Sequence, residues 1–368
     1  MVAPIAPFRG GIARHSTALA AAFAGEEQAR FRVQTFKRLY PRFLYPGKSD
    51  RDVSLTTVAS YPVRRSLDSL NPFTWAIGAE SPDIAVIPAW TFFVAPMLGI
   101  VARRLRRSGT AIIMIVHNLS DHEGARWKLA LSRWQLAAAD GFVVHTEDQL
   151  RQLREQGFVQ PARVIPHPAY SDFPEPRNSL PRERALELLF FGLVRHYKGV
   201  DIALRALAAS GLKDVRLTIA GEVWDHKDSL RQLLDRPELR GKVELIDRYV
   251  SDEEAAELFA RCDAVMAPYR AVTGSGVLAL ARHYGRPVLA SDLPGFDGLV
   301  EHGRNGWIFP AQDEHALSSL LRTSVTRENC GAMAAYVDQS ATGTGWAEYG
   351  QSLISLGEQI LDSRMRDT

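Results

Sequence analysis

Short apolar segments alternate with helical patterns along most of this 368-residue chain. Segments of this length predict buried strands, and they lie at 84–88, 111–116, 141–144, 163–166, 186–191, 214–220, 243–246, 263–268 and 287–291. Strands separated by helices favour parallel sheets, because parallel neighbours need a crossover connection between them. The sequence therefore predicts an α/β protein with doubly wound parallel sheets.

A polar, proline-rich stretch interrupts this alternation near the middle of the chain. A chain of this length holds about two domains, and its 46% of hydrophobic residues suffices for two cores. We therefore expect a first domain at 1–170, a linker at 171–184, a second domain at 185–340 and a helical tail at 341–368.

The composition argues against several classes of protein. The net charge is +2, so there is no strong overall field, and we expect no nucleic-acid partner. Two cysteines, Cys262 and Cys330, are too few for a disulfide framework. The sequence has no signal-peptide pattern and no run of about 18 apolar residues. We expect a cytoplasmic protein, with contact to the inner face of a membrane left open.

The segment 270–291, RAVTGSGVLALARHYGRPVLAS, predicts a small-residue turn, a helix and a buried strand. The first N–H groups of a helix attract anions, and small residues let a phosphate approach the backbone. The alternative is an ordinary helix start with Ser275 as its N-cap. The expected diphosphate ligands are Thr273, Gly274, Ser275, Gly276 and Val277.

An upstream segment repeats this design. The apolar run 186–191 leads to Gly192, to the cations Arg195 and Lys198, and then to a helix. In open α/β sheets, ligands bind beyond the carboxyl ends of the strands, so both loops should line one crevice. We expect the two cations to balance the charge of a diphosphate, the alternative being a solvated loop.

Seven motifs follow one another along the chain, and their order and spacing are more specific than any one of them. They are GGIARH at 10–15, VHN at 116–118, FFGLVRHYKG at 190–199, LTIAGE at 217–222, YVSDEEAAELFARCDAVMAPYR at 249–270, SGVLALARHYGRPVLASDLPG at 275–295 and VEHGRNGWIFP at 300–310. Together they resemble the GT-B glycosyltransferases, in particular the retaining family 4 and its bacterial exopolysaccharide and lipid-linked oligosaccharide transferases. The resemblance implies two Rossmann-like domains that face a central cleft, with a final helix that crosses back to the first domain.

The resemblance also implies roles for residues of the first domain. Gly10 and Gly11 would face the donor diphosphate, although a tight turn alone also explains them. His117 would contact the donor sugar, and Asn118, His122 and Glu123 would lie on the acceptor side. His167 is more simply explained as a structural residue. Before the GGIARH loop, residues 1–5 leave room for a short first strand, unless the start of the domain was trimmed.

The chain departs from the family at one chemically important place. Many members carry two glutamates around the diphosphate helix, and the matching positions here are Val272 and Leu280. Glu222 follows a predicted strand and is the candidate replacement for one carboxylate, while Arg270 is a candidate phosphate ligand. Leu193 stands where many members carry an arginine, with Arg195 as its replacement.

We expect no cofactor and no metal ion. The sequence Asp-Arg-Asp at 50–52 spells a metal-binding pattern of a different transferase fold, but GT-B enzymes balance the diphosphate with cations and helix dipoles. Basic and aromatic residues at 103–107, 126–134 and 36–48 would suit a polyprenyl-diphosphate-linked acceptor and an anionic membrane surface. A solvated helix face is the alternative.

These features predict retaining transfer of a hexosyl group from a nucleoside-diphosphate sugar to a hydroxyl of a glycan or a lipid-linked acceptor. His117, Arg195 and Lys198 are the expected catalytic residues. Two alternatives stay open because the family glutamates are missing: a non-catalytic protein that binds nucleotide sugars, and a nucleotide-sugar epimerase of the same fold.

Overall fold

A computed structural model describes residues 1–25, 30–41, 49–52, 61–76, 81–119, 125–168, 173–178, 180–272, 275–337 and 345–366. The chain forms two compact units. The first comprises Met1–Pro168 together with Thr342–Thr368, and the second comprises Ala169–Ala341. Parallel sheets organise both units, as the alternation of strands and helices predicts.

The first unit contains a four-stranded parallel sheet in the order β3-β4-β5-β6 and a two-stranded parallel sheet of β1 and β2. The strands are β1 (Val33–Arg38), β2 (Val63–Asp68), β3 (Ile84–Ala89), β4 (Ala111–Val116), β5 (Gly141–Val144) and β6 (Ala162–Val164). The amino-terminal segment lies between the two sheets, because Val2 donates to the carbonyl of Val86 while Gln34 donates to that of Met1. It pairs on both sides, but over too few residues to count as a strand.

Helices cover the four-stranded sheet of the first unit. They are α1 (Gly11–Ala24), α2 (Ala95–Arg107), α3 (Arg126–Leu136), α4 (Glu147–Glu155) and, from the end of the chain, α11 (Trp346–Arg366). Strand β4 is buried along its whole length, as a central parallel strand should be. On one face of the sheet, Leu353 and Ile360 of α11 share a core with Ile113 and Val143.

The second unit contains a six-stranded parallel sheet in the order β12-β11-β10-β7-β8-β9. Its strands are β7 (Leu186–Phe191), β8 (Val215–Ala220), β9 (Val243–Ile246), β10 (Ala264–Ala267), β11 (Val288–Ser291) and β12 (Gly306–Phe309). Its helices are α5 (Val200–Ser210), α6 (Lys227–Leu234), α7 (Asp252–Arg261), α8 (Gly276–His283), α9 (Glu314–Thr323) and α10 (Arg327–Ala334).

The loops after β7 and β8 approach each other very closely. A side chain at Gly221 would place its Cβ 2.1 Å from the carbonyl oxygen of Gly192, so that a larger residue has no room there. Both glycines also have positive φ angles, 147° and 92°, which side chains of L-residues rarely allow. The two loops therefore leave the carboxyl edge of the sheet side by side.

The nine predicted strands correspond to β3 through β11, while β1, β2 and β12 are additional. Of the segment 36–48, expected to suit the acceptor, the first residue cannot contribute, because Phe36 belongs to β1 and is fully buried. Residues 42–48 lie outside the described residues. Within the described part of the chain, no helix is both long and apolar enough to cross a membrane.

Candidate functional site

In the second unit, the loop after β7 meets the start of α8 at Gly192. The Nζ atom of Lys198 lies 3.0 Å, and Cγ2 of Val277 3.6 Å, from the point where a Cβ of Gly192 would be. Two segments that are about 80 residues apart in the sequence thus share one place at the carboxyl edge of the sheet.

Lys198 carries a positive charge that no described carboxylate balances, since no acidic side chain in those residues lies within ion-pair distance of it. Its ammonium group lies 5.6 Å from the centre of the Tyr269 ring, and Tyr269 itself is buried. Burial, and secondly the charge of Arg195, lower the pKa of Lys198 to about 8. An anion beside Gly192 would relieve this electrostatic cost.

Helix α8 begins beside this lysine without a side-chain cap. Ser275 occupies the N-cap position, but its hydroxyl makes no capping hydrogen bond to the first turn. The alternative of an ordinary helix start with Ser275 as its N-cap is therefore wrong, because the capping hydrogen bond is missing. The N–H groups of Gly276 and Val277 remain available to an anion. Thr273 and Gly274 lie outside the described residues.

The loop after β8 joins the loop after β7 through main-chain hydrogen bonds. Val194 donates to the carbonyl of Glu222 at 2.9 Å, and Trp224 donates to that of Val194 at 3.1 Å. The indole N–H of Trp224 donates to the Glu222 carboxylate at 3.4 Å. The guanidinium of Arg195 lies 5.8 Å from the Trp224 ring and 3.8 Å from Asp225. Glu222 and Arg195 are therefore neighbours through Trp224.

Arg270 differs from the expectation that it binds phosphate. Its guanidinium forms two hydrogen bonds with Asp201, at 2.8 and 2.7 Å, so its charge is already balanced. Burial opposes the ionised form of Asp201, but Arg270 lowers the pKa of this carboxyl to about 2. Arg270 also donates to the carbonyls of His196 and Tyr197, which precede Lys198. It holds the lysine loop in place.

The two positions of the missing glutamates offer no carboxylate to a ligand. Leu280 is only 6% exposed and packs inside the second unit from α8. The backbone of Val272 lies against Gly295, where a Cβ would be 2.7 Å from the Val272 carbonyl oxygen.

In the first unit, the described residues leave open space beside the first residues of α1. Gly10 precedes the helix with a φ angle of 100°. A Cβ added to Gly10 or to Gly11 would have no heavy atom of the described residues within 4 Å. No side chain caps this helix. A ligand can therefore approach its first N–H groups closely.

Two histidines directly follow the parallel strands β4 and β5, a third lies three residues after the end of β6, and a fourth lies on α1. They are His117, His145, His167 and His15. The ring of His15 lies 4.6, 5.4 and 5.0 Å from those of His117, His145 and His167, measured between centroids. We call these four residues the histidine cluster. Neighbouring parallel strands end at one edge, which brings their following residues together.

Hydrogen bonds fix two members of the histidine cluster. His145 Nε2 lies 3.2 Å from His117 Nδ1, and His145 Nδ1 lies 3.1 Å from the carbonyl oxygen of Ile165. The buried amide of Gln149 on α4 binds the backbone of both histidines, at 2.6 and 3.2 Å. Burial lowers the pKa of all four cluster histidines, that of His145 to about 3.

The other residues expected on the acceptor side are less informative. The side-chain amide of Asn118 donates to the carbonyl of Trp90 at 3.0 Å, which ties the loop after β4 to the end of β3. His122 and Glu123 lie outside the described residues. His167, expected to be structural, bonds the carbonyl of Pro168 and also belongs to the histidine cluster.

The basic segments on α2 and α3 are partly engaged within the first unit. Arg103 stacks 3.8 Å from the ring centre of Trp134 and donates to its carbonyl, and Arg106 pairs with Asp140. By contrast, Trp127 is 58% exposed beside Lys128. The exposed aromatic and basic surface is therefore smaller than the sequence suggests.

Sequence reasoning missed several residues of both sites. In the second unit these are Tyr269, Trp224 and Asp225, and in the first unit His15 and His145. A signal existed for His145, because it follows a predicted strand just as His117 does. The others depend on contacts between distant segments, which the sequence does not reveal.

Two family models match this chain. The model described as Glycosyltransferase Family 4 matches residues 9–171, and the model described as Glycosyl transferases group 1 matches residues 185–326. Together they extend over most of both units. Each unit thus carries its own glycosyltransferase signature.

Curated relatives include glycosyltransferases of two kinds. The GDP-mannose:glycolipid 4-beta-D-mannosyltransferase of Xanthomonas campestris is 28% identical over 57% of this chain, which spans 58% of that relative. The D-inositol 3-phosphate glycosyltransferase 1 of Catenulispora acidiphila is 28% identical over 80% of this chain and 76% of its own length.

Solved structures show the same fold. Sucrose-phosphate synthase from Thermosynechococcus elongatus has a TM-score of 0.72 at 18% identity, over 96% of this chain and 94% of that protein. HepE from Anabaena, solved with UDP and glucose, has a TM-score of 0.69 at 17% identity, over 99% of this chain and 98% of that protein. At this level of identity, the likeness establishes the GT-B fold alone.

The neutral histidine cluster predicts that acid destabilises the protein. Unfolded histidines have pKa values near 6.5, so below that pH the unfolded chain binds protons that the folded chain does not. Each cluster histidine should then lower the free energy of unfolding by up to about 1.4 kcal/mol per pH unit as the pH falls from 6.5 towards its folded pKa.

Denaturant unfolding between pH 7 and pH 5, in a chelating buffer that removes metal ions, measures this slope. His145→Gln should reduce the proton uptake on unfolding by about one proton, while exposed His315→Gln should leave it unchanged. A stability that does not change between pH 7 and pH 5 would show that the cluster is not buried in its neutral form.

Proposed function

Because this chain belongs to the family 4 glycosyltransferases of the GT-B fold, we propose that it transfers a hexosyl group from a nucleoside-diphosphate sugar. The acceptor in this proposal is a hydroxyl group of a glycan or of a lipid-linked glycan. One observation carries the proposal: the half-buried charge of Lys198, which has no carboxylate partner among the described residues, beside the uncapped start of α8.

The donor diphosphate would lie at Gly192. Lys198 would approach it from the loop after β7, and the N–H groups of Gly276 and Val277 from α8. Gly192 has no side chain to block this approach. A diphosphate brings the negative charge that Lys198 lacks, and it can accept hydrogen bonds from several donors at once.

These groups also suit the chemical step. As the glycosidic bond breaks, negative charge grows on the departing diphosphate, and donors fixed around it stabilise the transition state. A single donor of this kind contributes roughly 2.7–4 kcal/mol in enzymes that have been dissected by mutation. Arg195 would add charge from the same loop, and Glu222 would accept a hydrogen bond from a donor hydroxyl.

We further propose that the reaction retains the anomeric configuration. In this mechanism the acceptor hydroxyl attacks from the face that the diphosphate leaves, and a diphosphate oxygen accepts its proton. No side chain then has to act as a nucleophile. His117 would contact the sugar as a neutral imidazole, because burial keeps its pKa well below the usual value.

Inversion is the second candidate outcome, and two observations favour it. Val272 and Leu280 carry no carboxylate, unlike the matching positions of many retaining family members. The Xanthomonas relative is also named for a β-mannosyl product made from GDP-mannose. GDP-mannose carries its sugar in an α linkage, so that product requires inversion.

The acceptor proposal rests on a small surface of the first unit. Trp127 and Phe92 meet edge to face with ring centres 5.1 Å apart, and Lys128 lies 4.9 Å from the Phe92 ring. We call these three residues the Trp127 patch. An exposed tryptophan beside a cation suits the interface of an anionic membrane, where a polyprenyl-diphosphate-linked acceptor would be held.

Lys198→Met should lower kcat by about a hundredfold or more, because it removes the charge that faces the leaving diphosphate. The exposed Lys213→Met is the matched control and should retain wild-type turnover. Release of nucleoside diphosphate from UDP-, GDP-, ADP- and dTDP-sugars measures the effect. Wild-type turnover in Lys198→Met would exclude the lysine from catalysis. A wild-type protein that binds these donors but never turns them over would favour a non-catalytic role.

The anomeric configuration of the product distinguishes the two stereochemical outcomes. NMR of the new glycosidic bond, compared with the anomeric configuration of the donor, should show retention. A product of the opposite configuration would reject the retaining mechanism and would support the second candidate. Either result leaves the proposed diphosphate site intact.

Trp127→Ala should weaken binding to vesicles that contain phosphatidylglycerol by at least about threefold, because it removes an interfacial anchor. Tyr336→Ala is the matched control, since Tyr336 of the second unit is 59% exposed and Trp127 is 58% exposed. Co-sedimentation at low salt measures binding. If wild-type protein binds neither anionic nor neutral vesicles, a membrane-held acceptor is ruled out and a soluble one is favoured.

A further inference from the structure

The histidine cluster brings nitrogen atoms of three rings close enough to share one small ligand. One ring nitrogen each from His15, His117 and His145 can be chosen so that all lie within 4.8 Å of one another. Two ligands of a tetrahedral metal ion with bonds of 2.0–2.1 Å lie about 3.3 Å apart. His117 Nδ1 and His145 Nε2 already have a separation of 3.2 Å.

The surroundings of His145 select the ring nitrogen that faces the cluster. Its Nδ1 lies 3.1 Å from the carbonyl oxygen of Ile165, which can only accept a hydrogen bond. Nδ1 therefore carries the proton, and Nε2 presents its lone pair towards His117. Histidines that bind metal ions commonly donate their second N–H to a carbonyl group in this way.

A hydrogen bond between the two histidines does not explain the whole cluster. Both ring nitrogens of His15 and the Nε2 atom of His117 are buried without a hydrogen-bond partner among the described residues. His15 is 1% exposed, and its neighbour Tyr349, with rings 5.4 Å apart, has a buried hydroxyl that also lacks a partner there. Buried polar atoms are normally satisfied, so these atoms point to a ligand.

We propose that His15, His117 and His145 bind one divalent transition-metal ion, with zinc as the best match. Three neutral imidazoles without a thiolate suit zinc, and burial keeps all three rings in the neutral form that can bind a metal ion. The fourth position would hold a water molecule or His167. The ion would connect α1 to the ends of β4 and β5.

This inference does not rest on the proposed transferase reaction, although both involve His117, and it runs against the expectation from the family that no metal is present. The ligands come from three separate elements of the first unit, so the expected role is to fix the carboxyl edge of its sheet. Zinc should therefore stabilise the folded chain, since a ligand that binds only the folded state raises its stability.

The first test uses the whole chain without a histidine tag. After removal of metal ions with a chelator, dialysis against Zn²⁺ should give one zinc ion per chain and a higher melting temperature. Co²⁺ in its place should give the strong visible absorption of a tetrahedral site. X-ray absorption of the zinc form should show a coordination shell of at least three imidazoles.

Variants locate the ion. His15→Gln should weaken zinc binding by about tenfold or more and abolish the stabilisation, whereas exposed His315→Gln on α9 should bind zinc like the wild type. Zinc binding that is unchanged in His15→Gln, or no stoichiometric zinc in the wild type, would overturn the proposal. If His15→Gln does not fold, the X-ray absorption of the wild type decides, and a shell without imidazoles overturns it.

Discussion

The parallel pairing of strands is the constraint on which both candidate sites depend. All strands of a parallel sheet end at one edge, so the residues that follow them become neighbours whatever their distance in the sequence. In the second unit this edge is unusually tight, since the backbone at Gly221 touches that of Gly192. Such contact fixes the paths of the two loops where they leave the sheet. In the first unit, the same edge collects a histidine from each of β4, β5 and β6.

Two cations of the second unit have different roles, because one is part of an ion pair that supports the fold and the other is placed to bind an anion. Arg270 is neutralised by Asp201, and this pair supports the backbone just before Lys198. Lys198 is held in position but has no acidic partner among the described residues, and its lowered pKa reflects that cost. A carboxylate beside Lys198 would stabilise the folded protein without a ligand, but it would compete with an anionic ligand for the lysine. The unbalanced lysine is therefore better explained by binding than by stability, because binding of the anion recovers the cost.

The sequence predicts the strands well where they are buried on both faces. Most of the strands β3 to β11 contain apolar runs, which is the usual pattern of central parallel strands, whereas the edge strands β6 and β9 are half-buried and contain Arg163 and Glu244. Strand β1 ends in Lys37 and Arg38, and β2 contains Arg64 and Arg65, so neither has such a run. Within the candidate sites, Gly192 and Lys198 could be identified from their place after a strand. The partner of Arg270 could not, because Asp201 lies 69 residues earlier and only the pairing of β7 with β10 brings them together.

The histidine cluster illustrates a further limit of sequence reasoning. Each histidine has a simple local explanation, and only the order β4-β5-β6 and the position of α1 reveal that four rings meet. Aromatic or aliphatic side chains would fill this space without burying ring nitrogens, and they would give a more stable core. The nitrogens lie at the edge of the sheet where α/β proteins bind ligands, and three of them, both of His15 and Nε2 of His117, lack partners within the described residues. Packing alone therefore does not account for the choice of histidine, whereas a ligand that the imidazoles coordinate does.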